Sequence, residues 1–172
     1  MGERLKAEGQ GLKVAGAEKA LAVVAIGSNV GSPRENVLRA MRELERLSAG
    51  GFLKSSLRET VPVDCPPGSP PFMNAVVAFV PLVGETPESL LAKLQSLEKG
   101  FGRQPKKVLN EPRPLDLDLI AFGREVRATK SLVLPHPRAH LRRFVLEPLA
   151  EILPDLVLPG LKVPVSQLVA SL

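Results

Sequence analysis

The sequence holds one cysteine, Cys65, no tryptophan, no tyrosine and only two histidines. A lone thiol excludes an intrachain disulfide and a cysteine-built zinc framework, and points to a reducing compartment. With both larger aromatics missing, any ring stacking falls to the six phenylalanines. Long apolar runs are absent too: the first, Leu21 to Ile26, is far short of the roughly 20 residues that cross a bilayer. The opening "MGERLKAEGQ" is charged, and Lys6 breaks a myristoylation pattern, so no address signal is expected. These absences predict a cytoplasmic protein with no membrane partner.

What is present is enough for a self-sufficient core. At 172 residues, 44% of them hydrophobic, the chain needs no disulfide or structural metal to fold. Residues 1–18 are polar and weakly patterned, and are expected to form a loose extension; residues 19–172 read as a single catalytic domain, expected to be a monomer. The net charge of +5 is unevenly spread. Residues 100–143 carry ten Lys and Arg against four acids, a local +6, while the rest is nearly neutral with thirteen bases and fourteen acids. Such a segment suits a partner bearing several negative charges, either a small phosphorylated molecule or a nucleic-acid backbone.

Periodicity gives the order of elements. "LAVVAIGS" reads as a buried strand; "SPRENVLRAMRELERL" follows as an amphipathic helix, with Ser32 as N-cap, Pro33 at the first position and Glu35 placed for a capping box. "FLKSSLRETV" alternates as a strand, and "VDCPPGSPP" cannot be regular. "FMNAVVAFVPLV" is the next strand, and Thr86 and Pro87 open a second helix that Gly100 and Gly102 end. The basic, proline-containing loop "GRQPKKVLNEPRP" then leads into "LDLDLIAFG". Strand, helix, strand, strand, helix, strand is the α+β ferredoxin-like, or split βαβ, order: an antiparallel sheet with helices packed on it. "SLVLPHP" adds a C-terminal strand, and "RRFVLEPLAEIL" a short helix interrupted near Pro148.

The pair Asp116 and Asp118 breaks the pattern of its own strand. Two residues apart in extended chain, both point to one face about 7 Å from each other, where like charges repel. Aspartate is depleted in strands, so something cationic should compensate. With Arg113 three residues upstream and a positive local field, the pair is expected to stay ionised and to take a hard divalent cation. Magnesium fits, since it prefers one or two carboxylates and fills its other positions with water and substrate phosphates. The glycines of "IGSNVGS" match neither a P-loop nor a dinucleotide fingerprint and read as a tight turn before a helix. His136 and His140 have zinc spacing, but Pro135 and Pro137 argue against a helix and no general-base glutamate follows. His136 suits phosphate contact or proton transfer, and His140 a capping or surface place.

"AIGSNVGSPRENV", "PRPLDLDLIAFG" and "LVLPHPRAHLRRFVLEPLAEI" together resemble the 6-hydroxymethyl-7,8-dihydropterin pyrophosphokinases of folate synthesis, over nearly all of Leu21 to Leu158. The resemblance implies a ferredoxin-like fold and transfer of the pyrophosphoryl group of ATP to the pterin hydroxymethyl, releasing AMP. It implies that Asp116 and Asp118 hold two magnesium ions with ATP, and that Arg103, Arg113, His136 and Arg142 are catalytic and contact ATP. It implies further that Gln95, with Glu98 beside it, lines the nucleotide side; an ordinary polar role on the helix is as good a reading of both. By the same likeness Asn74 bonds the pterin edge, between Phe144 and Phe72. Some relatives carry a loop tryptophan where this chain has Asn110, a tyrosine where it has Pro137 and a second loop arginine where it has Pro105. A rival from another class is an RNA-binding module on the same plan, using the basic 100–143 segment; it lacks the Lys/Arg-Gly-aromatic strand such modules stack bases on, and the aspartates would repel phosphodiesters. No nucleic acid is therefore expected as partner.

Overall fold

In the computed structural model the described residues are 20–172, apart from 63, 106, 108, 110 and 111, together with the backbone of 7–8, 11–14 and 17–19. Asn110, and the rest of the 1–18 extension, lie outside them. Within that extension β1 (Ala7–Glu8), β2 (Gly11–Val14) and β3 (Ala17–Lys19) pair as an antiparallel meander.

The main sheet is built from β4 (Ala22–Ser28), β5 (Ser48–Lys54), β6 (Arg58–Thr60), β7 (Phe72–Pro81) and β8 (Asp116–Phe122), in the order β5-β7-β4-β8 with β6 also on β7. Every pairing is antiparallel. With α1 (Pro33–Glu45) after β4 and α2 (Pro87–Gly100) after β7, this is the predicted split βαβ topology. The predicted single strand at 52–61 is divided into β5 and β6. Ser55 causes the break: its hydroxyl accepts the Val76 N–H at 2.9 Å, taking a place that a backbone carbonyl would hold in a continuous ladder.

The two sheet faces bury different partners. Ala22, Val24 and Ile26 of β4, Ala75, Val77 and Phe79 of β7 and Leu117 and Leu119 of β8 pack with Val37, Met41 and Leu44 of α1 and Leu90 and Leu94 of α2. The alternate residues Val23, Ala25, Val76, Ala78 and Ile120 pack instead under α3 (Arg143–Ile152) and α4 (Val165–Ala170). The predicted interruption at Pro148 does not occur, because a proline removes a single intrahelical donor and α3 keeps a buried face of Val145, Leu146 and Leu149. The C-terminal strand is reduced to a hairpin of β9 (Arg127–Ala128) and β10 (Val133–Leu134). A short 3-10 turn, Ala139–Leu141, leads into α3.

Helix caps differ from expectation. Ser32 is the N-cap of α1, but its side chain makes no capping bond; Asn36 instead reaches back to Ser28 Oγ at 3.2 Å and the Val30 carbonyl at 3.1 Å. The capping box belongs to α2, where Thr86 Oγ1 accepts the Ser89 N–H and Ser89 Oγ accepts the Thr86 N–H.

Candidate active site

One end of the α3-facing side of the sheet is not filled by apolar side chains. In antiparallel strands, residues paired across a ladder share a face. Gly27 of β4 is paired with Asn74 on β7 and with Asp116 on β8; one row further in, Ala25 is paired with Val76 and with Asp118. The central strand is therefore lowest where its neighbours carry an amide and two carboxylates. Arg138 and Leu141 from the 3-10 turn, Arg142 ahead of α3, and Arg143 and Phe144 of α3 complete a cavity of about 470 Å³. Thr60 at the end of β6, with Val61, Asp64 and Cys65 after it, lines the far side.

The acidic wall is already charge-compensated on one side only. Asp116 Oδ1 accepts from Arg103 Nη1 at 2.9 Å, and its Oδ2 lies 3.5 Å from Arg113 Nη2. Arg103 also pairs with Glu98, a buried carboxylate that accepts the Leu117 N–H at 3.1 Å and so pins α2 to the start of β8. Asp118 behaves differently. Burial, and then the neighbouring Asp116 charge, push its pKa up to about 6, against the opposing pull of Arg142, Arg113 and Arg103. Desolvation thus outweighs the arginines at Asp118, although a carboxyl with a pKa of about 6 is still ionised at neutral pH. Arg113 also carries a buried Nε with no hydrogen-bond partner among the described residues, a donor still to be used.

His136 is tied to β8 through its backbone N–H, which donates to the Ile120 carbonyl at 2.8 Å. Its ring Nδ1 accepts the Arg138 N–H at 3.2 Å, placing the proton of the neutral ring on Nε2. Burial first, then Arg142 and Arg138, hold its pKa below the usual histidine value, with Asp116 opposing them. It is a neutral donor at neutral pH, set beside the cavity and not among its lining residues.

The opposite wall is amide and ring. Asn74 is buried and its Nδ2 donates to Thr60 Oγ1, which leaves the amide oxygen unengaged by that contact. Phe72 stands on the same face of β7 two residues away, and Phe144 carries the Arg142 guanidinium 5.5 Å from its ring centre. The structure thus brings together Phe72, Asn74, Arg113, Asp116, Asp118, Arg142 and Phe144 around one cavity, with Arg103 bonded to its acidic wall. It does not bring Gln95 there; that side chain is exposed on α2.

Two kinds of site residue had escaped the sequence. Thr60, Val61, Arg138 and Leu141 line the cavity from the end of β6, the short 3-10 turn and the segments beside them, where no periodicity marks a cavity-facing side chain. Asn29 is buried at the end of β4: its Oδ1 accepts the Arg113 N–H at 2.9 Å, its N–H donates to the Arg113 carbonyl at 3.2 Å and its Nδ2 to the Pro70 carbonyl at 3.3 Å. One side chain therefore joins both proline-rich loops. The only cue in the sequence is an asparagine in "IGSNVGS", with partners 84 and 41 residues away.

The donor set fits a hard cation whose remaining ligands come from elsewhere. Asp116 and Asp118 supply carboxylate oxygens, and no group of three or more His, Cys, Asp or Glu able to hold a metal ion exists among the described residues. That is an incomplete oxygen shell of the kind magnesium fills with water and phosphate. The sheet face that an RNA-binding module of this plan would use is packed under α3 and α4.

Residues 23–154 match the family described as 7,8-dihydro-6-hydroxymethylpterin-pyrophosphokinase. The mitochondrial folate synthesis bifunctional protein of Arabidopsis thaliana is 37% identical over 76% of this chain, which spans only 23% of that relative. The 2-amino-4-hydroxy-6-hydroxymethyldihydropteridine pyrophosphokinase of Haemophilus influenzae is 36% identical over 81% of this chain and 85% of its own. A crystal structure of wild-type Plasmodium falciparum HPPK-DHPS with SDX-DHP superimposes with a TM-score of 0.68 at 14% identity, covering 90% of this chain and 44% of that one; it speaks to the fold alone.

Proposed function

The chain belongs to the 7,8-dihydro-6-hydroxymethylpterin-pyrophosphokinase family, and from that premise we propose that it transfers the β,γ-pyrophosphoryl group of ATP to the hydroxymethyl oxygen of 6-hydroxymethyl-7,8-dihydropterin, releasing AMP. The observation that carries this reading is a single cavity with an amide-and-phenylalanine wall facing an aspartate-and-arginine wall. A flat, hydrogen-bonding heterocycle suits the first, and a polyphosphate with its cation suits the second.

Each residue then has a task. Asn74 and the rings of Phe72 and Phe144 orient the pterin. Asp116 and Asp118 would hold magnesium, two ions in the full reading, which when bound neutralise phosphate charge and polarise the phosphoryl oxygens. Arg103, Arg113 and Arg142 bind phosphate oxygens bidentately, and the unpartnered Arg113 Nε gains an acceptor. His136, as a neutral ring, donates a hydrogen bond from its Nε2–H to a phosphate oxygen and keeps its proton. The residues act by positioning and charge compensation, with no covalent enzyme intermediate. We read the enzyme as cytoplasmic and monomeric; among the described residues no helix is long and apolar enough to cross a membrane.

Incubating the protein with ATP, magnesium and 6-hydroxymethyl-7,8-dihydropterin tests the reading. AMP should form mole for mole with pterin diphosphate. ADP and free phosphate as the products, or AMP release that ignores the pterin, would contradict it.

A further inference from the structure

The glycines of "IGSNVGS" do not share one purpose. Gly31 has a φ of +74 and serves the turn, as expected. Gly27 lies inside β4, paired on both sides, and its backbone does not enter the left-handed region. The chain path therefore does not demand a glycine there, and a glycine inside a strand weakens it by entropy and by lost packing. What it supplies is space. A Cβ at this position would stand 3.2 Å from Asn74 Oδ1 and 3.7 Å from Phe72 Cδ1, the two side chains of the amide-and-ring wall. The first contact is tight and the second ordinary, so alanine could be housed, but only by filling the trough.

We infer that Gly27 is a specificity-determining residue, the floor on which one edge of the fused ring of the pterin rests while its faces lie between Phe72 and Phe144. The inference rests on the preceding assignment of the cavity. Neighbouring strands are about 4.8 Å apart, so the crossing from Asn74 over Gly27 to Asp116 is about 10 Å. A fused bicycle with a one-carbon arm fills that span, with its polar edge at the Asn74 oxygen and its hydroxymethyl at the acidic wall. Bare backbone lets the ring settle to van der Waals contact with β4. A methyl group lifts it or displaces the Asn74 amide, whose Nδ2 is held by Thr60. Ala25, the next residue on this face, extends the same low floor toward Asp118.

Gly27→Ala separates this role from a structural one. Its melting temperature should stay within a few degrees of the parent's, because the conformational freedom alanine saves offsets the tight Cβ contact with Asn74 Oδ1. The KM for ATP should stay within about twofold, while the KM for 6-hydroxymethyl-7,8-dihydropterin rises about tenfold or more, the scale of one carbon in a fitted pocket. A smaller rise, or an equal rise for both substrates, overturns the inference. If Gly27→Ala gives no cooperative melt, Ala25→Val, judged by the same two KM values, carries the same expectation and the same means of refutation. Failure of the underlying assignment looks different: the parent protein itself then makes no pterin-dependent AMP.

Discussion

The two faces of the main sheet are made by the same strands and alternate residues, yet they are built to different rules. On the α1–α2 side every inward position of β4, β7 and β8 is apolar apart from Ser28 at the end of β4, and the face packs on the fully buried Leu90 and Leu94 of α2. On the α3 side the same alternation holds through Val23, Ala78 and Ile120, then gives way at one end to Gly27, Asn74, Asp116 and Asp118. The packed face stabilises the molecule; the interrupted end sacrifices burial for a cavity and places an acid where desolvation raises its pKa. Activity and stability are therefore carried by opposite faces and should be separable by mutation.

The largest expected separation is at the acids. Asp116→Ala or Asp118→Ala should lower turnover by about three orders of magnitude, the scale of several kcal/mol of lost charge stabilisation, while circular dichroism and cooperative melting persist. On the packed face, Leu94→Ala should cost about 2–5 kcal/mol of stability, measured by urea unfolding, with both KM values unchanged in the fraction that remains folded. Between the faces sits Asn29. Asn29→Ala removes the acceptor of the Arg113 N–H and the donor to Pro70, and should cost about 1–3 kcal/mol with a fall in kcat, because the bonds it loses position both loops.

The smallest effect is in pH. Asp118 keeps its proton to about pH 6 when folded, above its ordinary value of 3.8. The folded state then binds more protons than the unfolded one between those values, so this group's contribution to stability is fully present below about pH 4 and is lost as pH rises through about 6. Asp118→Asn, measured in chelator, should melt higher than the parent at about pH 8 and nearly equal to it at about pH 4. A variant that melts lower at the higher pH would show that the arginines, not burial, govern Asp118.

The difference between the faces also explains what could be seen from sequence. The βαββαβ order was legible because apolar spacing reports burial directly, and Asp116 and Asp118 were legible because two charges in a strand violate that spacing. The divided strand at Ser55 was not, since a hydroxyl that replaces a ladder carbonyl looks like any polar residue. Nor was α4, six residues long in a weakly patterned tail. Phe72, Asn74 and Phe144 were reached only through family resemblance, because nothing local distinguishes an asparagine facing a cavity from one facing water. Gly27 belongs both to the strand "LAVVAIGS" and to the glycine pair read as a turn, and its purpose was not legible for the reverse reason: glycine reports either torsion or space, and only the paired strands reveal which.

Manganese anomalous diffraction from crystals soaked with a non-hydrolysable ATP analogue tests the central claim most directly. Density peaks should lie against the carboxylate oxygens of Asp116 and Asp118, with the remaining coordination supplied by phosphate and water. A fully occupied nucleotide with no anomalous signal at either carboxylate would contradict the account.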